Sequence, residues 1–228
     1  MTHLFNPDAF IAATTHLQRT GLVPEIALHL ATEPYRIFQT ADEIGAEKPF
    51  WAFAWPGGQA VARFLLDNPH EVRGRRVLDI GTGSGLAAIA ALKAGATTAI
   101  ANDTDPIACA AARLNAAANG VSLETRATDL LATDSDVDLI LVGEVFYEPE
   151  MAMRVTSFLE RTRSRGVDLI FADRTSVRRP ALGLELVTEV VAPLTPDLGM
   201  DQMERARIWR LPPTITVPAR RRSRSTTT

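Results

Sequence analysis

Residues 76 to 94 contain an apolar stretch of strand length, a turn of alternating glycines and an apolar stretch of helical length. Residues 76–80 are mainly apolar and carry one carboxylate, Asp79, at the penultimate position, which predicts a buried strand. The alternating glycines are Gly81, Gly83 and Gly85. Glycine adopts positive φ without steric cost and lets a ligand approach the backbone closely. A strand, a glycine turn and a helix in this order predict an α/β nucleotide-binding fold.

The glycine spacing and the nearby acid indicate the kind of ligand that this turn binds. The spacing is G-x-G-x-G, whereas a nicotinamide dinucleotide loop has G-x-G-x-x-G, and its last position is Leu86 here. Asp79 would also repel a pyrophosphate lying on the helix N-terminus, where anions normally bind. A carboxylate suits a ligand with an ammonium group, which indicates S-adenosyl-L-methionine (SAM).

Acidic residues lie at or near the ends of four successive predicted strands. Further strands are predicted over residues 97–101, 123–127 and 137–142, and the four acids are Asp79, Asp103, Asp129 and Glu144. Asp103 follows Gly81 by 22 residues, the interval at which an acid meets ribose hydroxyls. Because ligands of open α/β sheets bind outside the carboxyl ends of the strands, we expect these acids to line one crevice. Helix capping is the alternative role of such Asp residues, and Asp105 is assigned to it.

The segment PFWAFAWPGGQA, residues 49–60, resembles a segment of the electron transfer flavoprotein β-subunit lysine methyltransferases. Similar segments recur at residues 63–69, 77–81, 101–106, 113–120, 145–148 and 206–211, so the resemblance covers about residues 22–212. That family consists of class I enzymes related to the ribosomal-protein lysine methyltransferases. The resemblance implies a Rossmann-like fold with a seven-stranded, mostly parallel sheet and helices on both faces.

The resemblance also implies which residues bind SAM. They are Trp55, Gly57, Asp79, Gly81, Gly83, Asp103 and Asp129. Glu144, which follows the fourth strand, is expected to face either the cofactor or the methyl acceptor. We therefore count it with both the cofactor-binding and the catalytic residues.

Two departures from the family pattern lie on the acceptor side. The family usually has Asp at the position of Glu144, and Asp-Pro-Gly-Arg where this chain has Asp173-Arg174-Thr175-Ser176. Three functions therefore stay open. The first is methylation of a lysine in a flavoprotein-like protein, the second is N-, C- or O-methylation of a small molecule, and the third is SAM binding without catalysis.

The expected chemistry is direct displacement, because the sulfonium of SAM already activates its methyl group and the protein mainly aligns a nucleophile. An acceptor lysine must first lose a proton, since its unperturbed pKa is about 10.4. Glu144 is expected to hold that amine by hydrogen bonds, while Trp51, Phe146 and Tyr147 exclude water. For a carbon or neutral nitrogen acceptor, Glu144 or Tyr147 could act as the base.

Composition restricts the remaining function classes. The chain has 228 residues, of which 46% are hydrophobic, enough for the core of one enzyme domain. Its net charge of -3 does not indicate a nucleic-acid partner. Four scattered histidines give no metal-ligand spacing, and a single cysteine, Cys109, fits a reducing compartment. Without a leader-like or membrane-length apolar run, the protein is expected to be cytoplasmic, and its oligomeric state is left open.

Three regions are expected along the chain. Residues 1–45 are predicted as an N-terminal helical extension with helices over 7–19 and 24–31. Residues 46–213 are predicted as the methyltransferase domain. Its further helices are expected over 56–66 and 150–163, and its last strands over 167–172, 184–191 and 207–211. Residues 214–228 are rich in arginine, serine and threonine and are predicted to be a disordered basic tail.

Overall fold

The computed structural model describes residues 5–144, 149–174, 183–193 and 203–211. The expectations for Phe146 and Tyr147, and for the basic tail over 214–228, fall outside these described residues. In the part of the chain that is described, no helix combines the length and the apolarity needed to cross a membrane.

The N-terminal extension contains a β-hairpin as well as helices. Its elements are α1 (Pro7–Thr14), β1 (Thr15–Arg19), β2 (Ala27–Ala31) and α2 (Pro34–Glu43). The helix predicted over 7–19 therefore ends at Thr14, and the helix predicted over 24–31 was wrong. β1 and β2 pair in antiparallel register, with Leu17 opposite His29. The strand forms because Leu28 and Leu30 pack into a hydrophobic core, and this tertiary packing outweighs the local helical propensity of the segment.

Seven strands form the main sheet, as the family resemblance implied. Its strands are β3 (Arg76–Ile80), β4 (Thr98–Asp103), β5 (Glu124–Ala127), β6 (Leu139–Gly143), β7 (Asp168–Arg174), β8 (Glu185–Pro193) and β9 (Met203–Leu211). The order across the sheet is β5-β4-β3-β6-β7-β9-β8. The first five strands in that order pair in parallel, and β9 is antiparallel to both β7 and β8. The carboxyl ends of β3, β4, β6 and β7 consequently meet at one edge.

Helices cover both faces of this sheet. They are α3 (Pro56–Asp67), α4 (Leu86–Lys93), α5 (Pro106–Ala118) and α6 (Pro149–Ser164). Each face of the sheet has its own hydrophobic core, and alternate residues of β6 contribute to one or the other. Leu141 packs with α3 and α4, whereas Val142 packs with α6. The expected cap of α5 is confirmed, because the Asp105 carboxylate accepts the Ile107 N–H at 2.8 Å.

Candidate active site

A cavity of about 650 Å³ opens at the carboxyl ends of the parallel strands. Seven of the predicted site residues line it: Trp55, Asp79, Gly81, Gly83, Asp103, Asp129 and Glu144. Within the described residues, no group of three or more His, Cys, Asp or Glu is arranged to hold a metal ion. The cavity thus combines carboxylates with apolar walls, which suits a cationic organic ligand.

Asp79, near the carboxyl end of β3, lines the cavity, and only 2% of its surface is exposed to solvent. Its carboxylate accepts a hydrogen bond from the Thr82 hydroxyl at 2.6 Å. Burial raises the pKa of Asp79 to about 7, because removal from water penalises the charged form. A cation placed beside this carboxylate would relieve that penalty, so the geometry fits the ammonium group of SAM.

The backbone of the glycine turn forms part of the cavity wall. Gly81 and Gly83 have φ values of 64° and 50°, which residues with a Cβ rarely adopt. The Gly83 N–H donates to the Asp103 carboxylate at 3.0 Å. The turn and the acid at the end of β4 therefore form one unit.

Backbone N–H groups donate to both carboxylate oxygens of Asp103. Besides Gly83, the Asp105 N–H donates to its other carboxylate oxygen at 3.1 Å. Burial raises the pKa of Asp103, and these backbone bonds oppose the shift. The remaining lone pairs of the carboxylate can accept hydroxyl donors, as expected for a group that meets a ribose.

Asp129 also lines the cavity and is bound by one local and one distant partner. It accepts the Leu131 N–H at 3.1 Å and forms an ion pair with Arg154 of α6. Both side chains are about two-fifths exposed, so the pair contributes little to stability. Arg154 also lines the cavity, and the sequence analysis did not identify it.

Glu144 follows β6 and is fixed from two directions. One carboxylate oxygen accepts the Gly57 N–H at 2.8 Å, and the other lies 2.5 Å from Nε of Arg174. The Gly57 N–H belongs to the first turn of α3, where backbone donors lack helical partners and the helix dipole favours an anion. Burial nevertheless raises the pKa of Glu144, and its backbone adopts a φ of 52°.

Close packing between the start of α3 and the end of β6 explains the glycines at positions 57 and 143. A Cβ at Gly57 would lie 3.2 Å from both the Glu144 amide nitrogen and its carboxylate. A Cβ on Gly143 would lie 3.4 Å from the backbone of Gly58. Gly57 itself does not line the cavity, and it positions Glu144 through its N–H instead.

The side of the cavity that is expected to bind the methyl acceptor continues at the end of β7. Asp173 is 1% exposed and accepts the Trp209 indole N–H at 3.0 Å. Arg174, which lines the cavity, also lies 3.7 Å from the Glu204 carboxylate. The residues that replace the expected Pro-Gly-Arg signature thus begin with a cation directed at Glu144.

Aromatic side chains form the cavity wall that precedes α3. The Trp55 indole N–H donates to the Phe50 carbonyl at 2.8 Å, and the two rings lie 5.9 Å apart in an edge-to-face arrangement. Phe53 lies 5.9 Å from Trp55, and Trp51 is 2% exposed within the same wall. These contacts pack the aromatic rings of the wall against one another.

Comparison with known proteins identifies the family. The chain is 42% identical over 171 residues to the electron transfer flavoprotein β-subunit lysine methyltransferase of Xenopus laevis, covering 73% of this chain and 70% of that protein. The chain belongs to this methyltransferase family. The human member is 40% identical over 157 residues, covering 67% of this chain and 60% of that protein. The family model for ribosomal protein L11 methyltransferase (PrmA) matches residues 64–160.

Family membership makes the chain a SAM-dependent methyltransferase, an enzyme whose cofactor is S-adenosyl-L-methionine. The fold agrees with solved methyltransferases. One is the 16S rRNA methyltransferase RsmC of T. Thermophilus in complex with AdoMet and guanosine, with a TM-score of 0.53 and 15% identity. That match covers 70% of this chain and 43% of the other.

Several polar side chains that the sequence analysis did not assign to the site also line the methyltransferase cavity, and three of them contact or face its acids: Thr82, Arg154 and Arg174. Thr82 was detectable, because a hydroxyl three residues after Asp79 is a local feature. The two arginines reach their acids from other elements, 25 residues away for Arg154 and 30 for Arg174. No local pattern in the sequence signals such pairs.

Proposed function

We propose that this methyltransferase transfers a methyl group from SAM to the side-chain amine of a lysine in a protein like the electron transfer flavoprotein β-subunit. The observation that carries the proposal is the 42% identity to a relative named for that reaction, over a stretch that covers 73% of this chain. The acceptor side of the cavity supports it, since a carboxylate there can orient an amine.

We assign the cofactor to the side of the cavity that contains the glycine turn. Asp79 would accept the ammonium group of SAM, Asp103 the ribose hydroxyls and Asp129 the adenine amine. Each assignment matches a carboxylate with a donor of the ligand. SAM, when bound, supplies a methyl group on a sulfonium, which a neutral amine can attack directly.

Glu144 and Arg174 would then prepare the acceptor. A lone carboxylate would stabilise the ammonium form of lysine and oppose proton loss. With Arg174 beside it, Glu144 can still accept an amine N–H, because a carboxylate has about four lone-pair sites. The pair therefore orients the amine without adding net negative charge. Tyr147 stays a predicted contributor to catalysis.

The direct test is methyl transfer into purified flavoprotein β-subunit. With tritiated SAM, label should enter the protein, and mass spectrometry should locate it on lysine. A matched β-subunit variant with the labelled lysine changed to arginine should accept no label. Label that appears only in the small-molecule fraction of a lysate would instead establish the competing function, methylation of a small molecule.

Glu144→Gln tests the acceptor assignment within the same assay. We expect at least a tenfold loss of kcat/KM for the protein acceptor with SAM affinity unchanged. Full turnover by this variant would remove Glu144 from the mechanism.

We further propose that the reaction takes place in the cytoplasm, because the single cysteine fits a reducing compartment. We also propose that the enzyme acts without a nucleic-acid partner, because its net charge is -3.

A further inference from the structure

Asn115 on α5 joins two parts of the molecule that are distant in sequence. Its side chain is fully buried, at 0% exposure. Its amide nitrogen donates to the Ser84 carbonyl at 2.8 Å, and its amide oxygen accepts the His29 N–H of β2 at 2.7 Å. The two partners fix the orientation of the amide, because one is an acceptor and the other is a donor.

The Ser84 carbonyl belongs to a turn that needs an external support. Ser84 lies between Gly83 and Gly85, whose φ values of 50° and 81° give the chain little intrinsic preference for one shape. Ser84 is 5% exposed, so a carbonyl without a donor there would be costly. Asn115 supplies that donor.

The same face of α5 also fits the turn sterically. A Cβ on Gly85 would lie 2.9 Å from the Cβ of Ala112, which is one helical turn before Asn115. The turn thus packs directly on α5 at Gly85 and is hydrogen-bonded to α5 at Ser84. These two contacts together fix the position of the glycine turn relative to α5.

The supported turn also positions the two acids assigned to SAM. Thr82 donates to Asp79, and Gly83 donates to Asp103. A displacement of Ser84 would be transmitted through one or two residues to both bonds. The position of the Asn115 amide therefore affects the positions of both carboxylates.

We propose that Asn115 is a positioning residue for SAM, which fixes the glycine turn and ties it to the N-terminal hairpin. It touches neither substrate and acts through the Ser84 carbonyl. The hairpin becomes part of the cofactor site through this amide, although β1 and β2 themselves do not line the cavity.

Asn119 provides a matched control. It lies four residues after Asn115 and binds β2 in a similar way, accepting the Ala27 N–H at 2.9 Å and donating to the Ala27 carbonyl at 2.6 Å. Its bonds across elements go to the hairpin and not to the glycine turn. Asn119→Ala therefore removes hairpin contacts while it leaves the Ser84 contact intact.

The experiment compares Asn115→Ala with Asn119→Ala by SAM titration calorimetry, steady-state kinetics and thermal melting. We expect Asn115→Ala to raise the Kd and KM for SAM about tenfold, because binding must then order the turn at a cost close to that of one buried hydrogen bond. Its kcat at saturating SAM should stay within twofold of the parent. Asn119→Ala should lower the melting temperature comparably but leave SAM affinity within twofold.

Equal losses of SAM affinity in both variants would overturn the proposal, because they would indicate a general effect of the hairpin. A fall in kcat with unchanged SAM affinity would also overturn it. If Asn115→Ala does not fold, Asn115→Ser provides the milder variant, since the freed space admits a water that can hydrate the Ser84 carbonyl. Asn115→Ser must likewise raise the Kd for SAM and leave kcat unchanged.

Discussion

Asp79 and Asp103, in the half of the cavity that we assign to the cofactor, are bound differently from Glu144, in the half that we assign to the acceptor. Asp79 and Asp103 are held by a hydroxyl and by backbone N–H groups, which leave their negative charge uncompensated. Glu144 is paired with the Arg174 guanidinium and also lies at the N-terminus of α3. Asp79 and Asp103 therefore present uncompensated negative charge, whereas the charge of Glu144 is opposed by a guanidinium, which also faces Glu204.

This difference matches the two reactants. SAM carries permanent positive charge, so uncompensated acids increase its affinity. An acceptor amine must be neutral to attack, so an uncompensated acid beside it would hold it in the unreactive ammonium form. The comparison suggests that Arg174 determines which protonation state the acceptor half favours.

The largest expected effect comes from removing the charge at Asp79. Asp79→Asn should raise the Kd for SAM about 100-fold, because the change leaves the ligand cation without its buried partner, a loss of about 3 kcal/mol. The asparagine oxygen can still accept the Thr82 hydroxyl. Calorimetric titration with SAM measures the change.

Thermal melting provides the control for this variant. The folded-state pKa of Asp79 is raised to about 7 from 3.8, so the folded protein binds more protons than the unfolded chain between those values. Ionisation of Asp79 therefore lowers stability as the pH rises from about 4 to 7. Asp79→Asn should melt no lower than the parent at pH 8, and a Kd within threefold of the parent would contradict the proposed cofactor half.

The next effect tests the pairing of Glu144 with Arg174 in the proposed acceptor half. Arg174→Met should lower kcat/KM for the lysine acceptor at least tenfold at neutral pH, with the Kd for SAM unchanged. The ascending limb of the pH–rate profile should move up by about one unit, because the unpaired Glu144 raises the pKa of the bound amine. If the limb stays in place while SAM affinity falls, Arg174 belongs functionally to the cofactor half.

A tenfold effect is also expected from pH alone in the cofactor half. With a pKa of about 7, Asp79 is mostly ionised at pH 8 and mostly protonated at pH 6 in the free enzyme. SAM affinity should therefore fall about tenfold from pH 8 to pH 6, since the neutral acid no longer attracts the ammonium. Titrations of Asp79→Asn should be nearly flat over this range, and a flat profile in the parent would exclude this role for Asp79.

The smallest expected effect lies at the adenine end. Arg154 and Asp129 are both substantially exposed, and a pair of this kind is worth at most about 1 kcal/mol. Arg154→Ala should tighten SAM binding by up to about threefold, because Asp129 no longer has to give up an ion-pair partner to the adenine amine. A loss of affinity would instead make Arg154 a direct contributor to SAM binding.

The sequence by itself determined the parts of the site that depend on neighbouring residues. The strand, glycine turn and helix around Asp79 form a contiguous segment, and the Asp105 cap lies two residues from the N–H that it accepts. The conformational freedom of glycine, helix capping and the apolar pattern of a buried strand each depend on a few neighbouring residues, so the sequence alone can predict them. The family resemblance added the seven-stranded topology, which the structure confirms.

Only the tertiary structure decided the contacts that join separate elements. Arg174 reaches Glu144 across 30 residues, Gly57 reaches it across 87, and Asn115 reaches Ser84 across 31. The same limit explains why residues 24–31 looked helical, although β2 is stabilised by its fit against α5 and β1. Such contacts depend on how strands align and how helices pack, and those distances are set only when the whole core assembles.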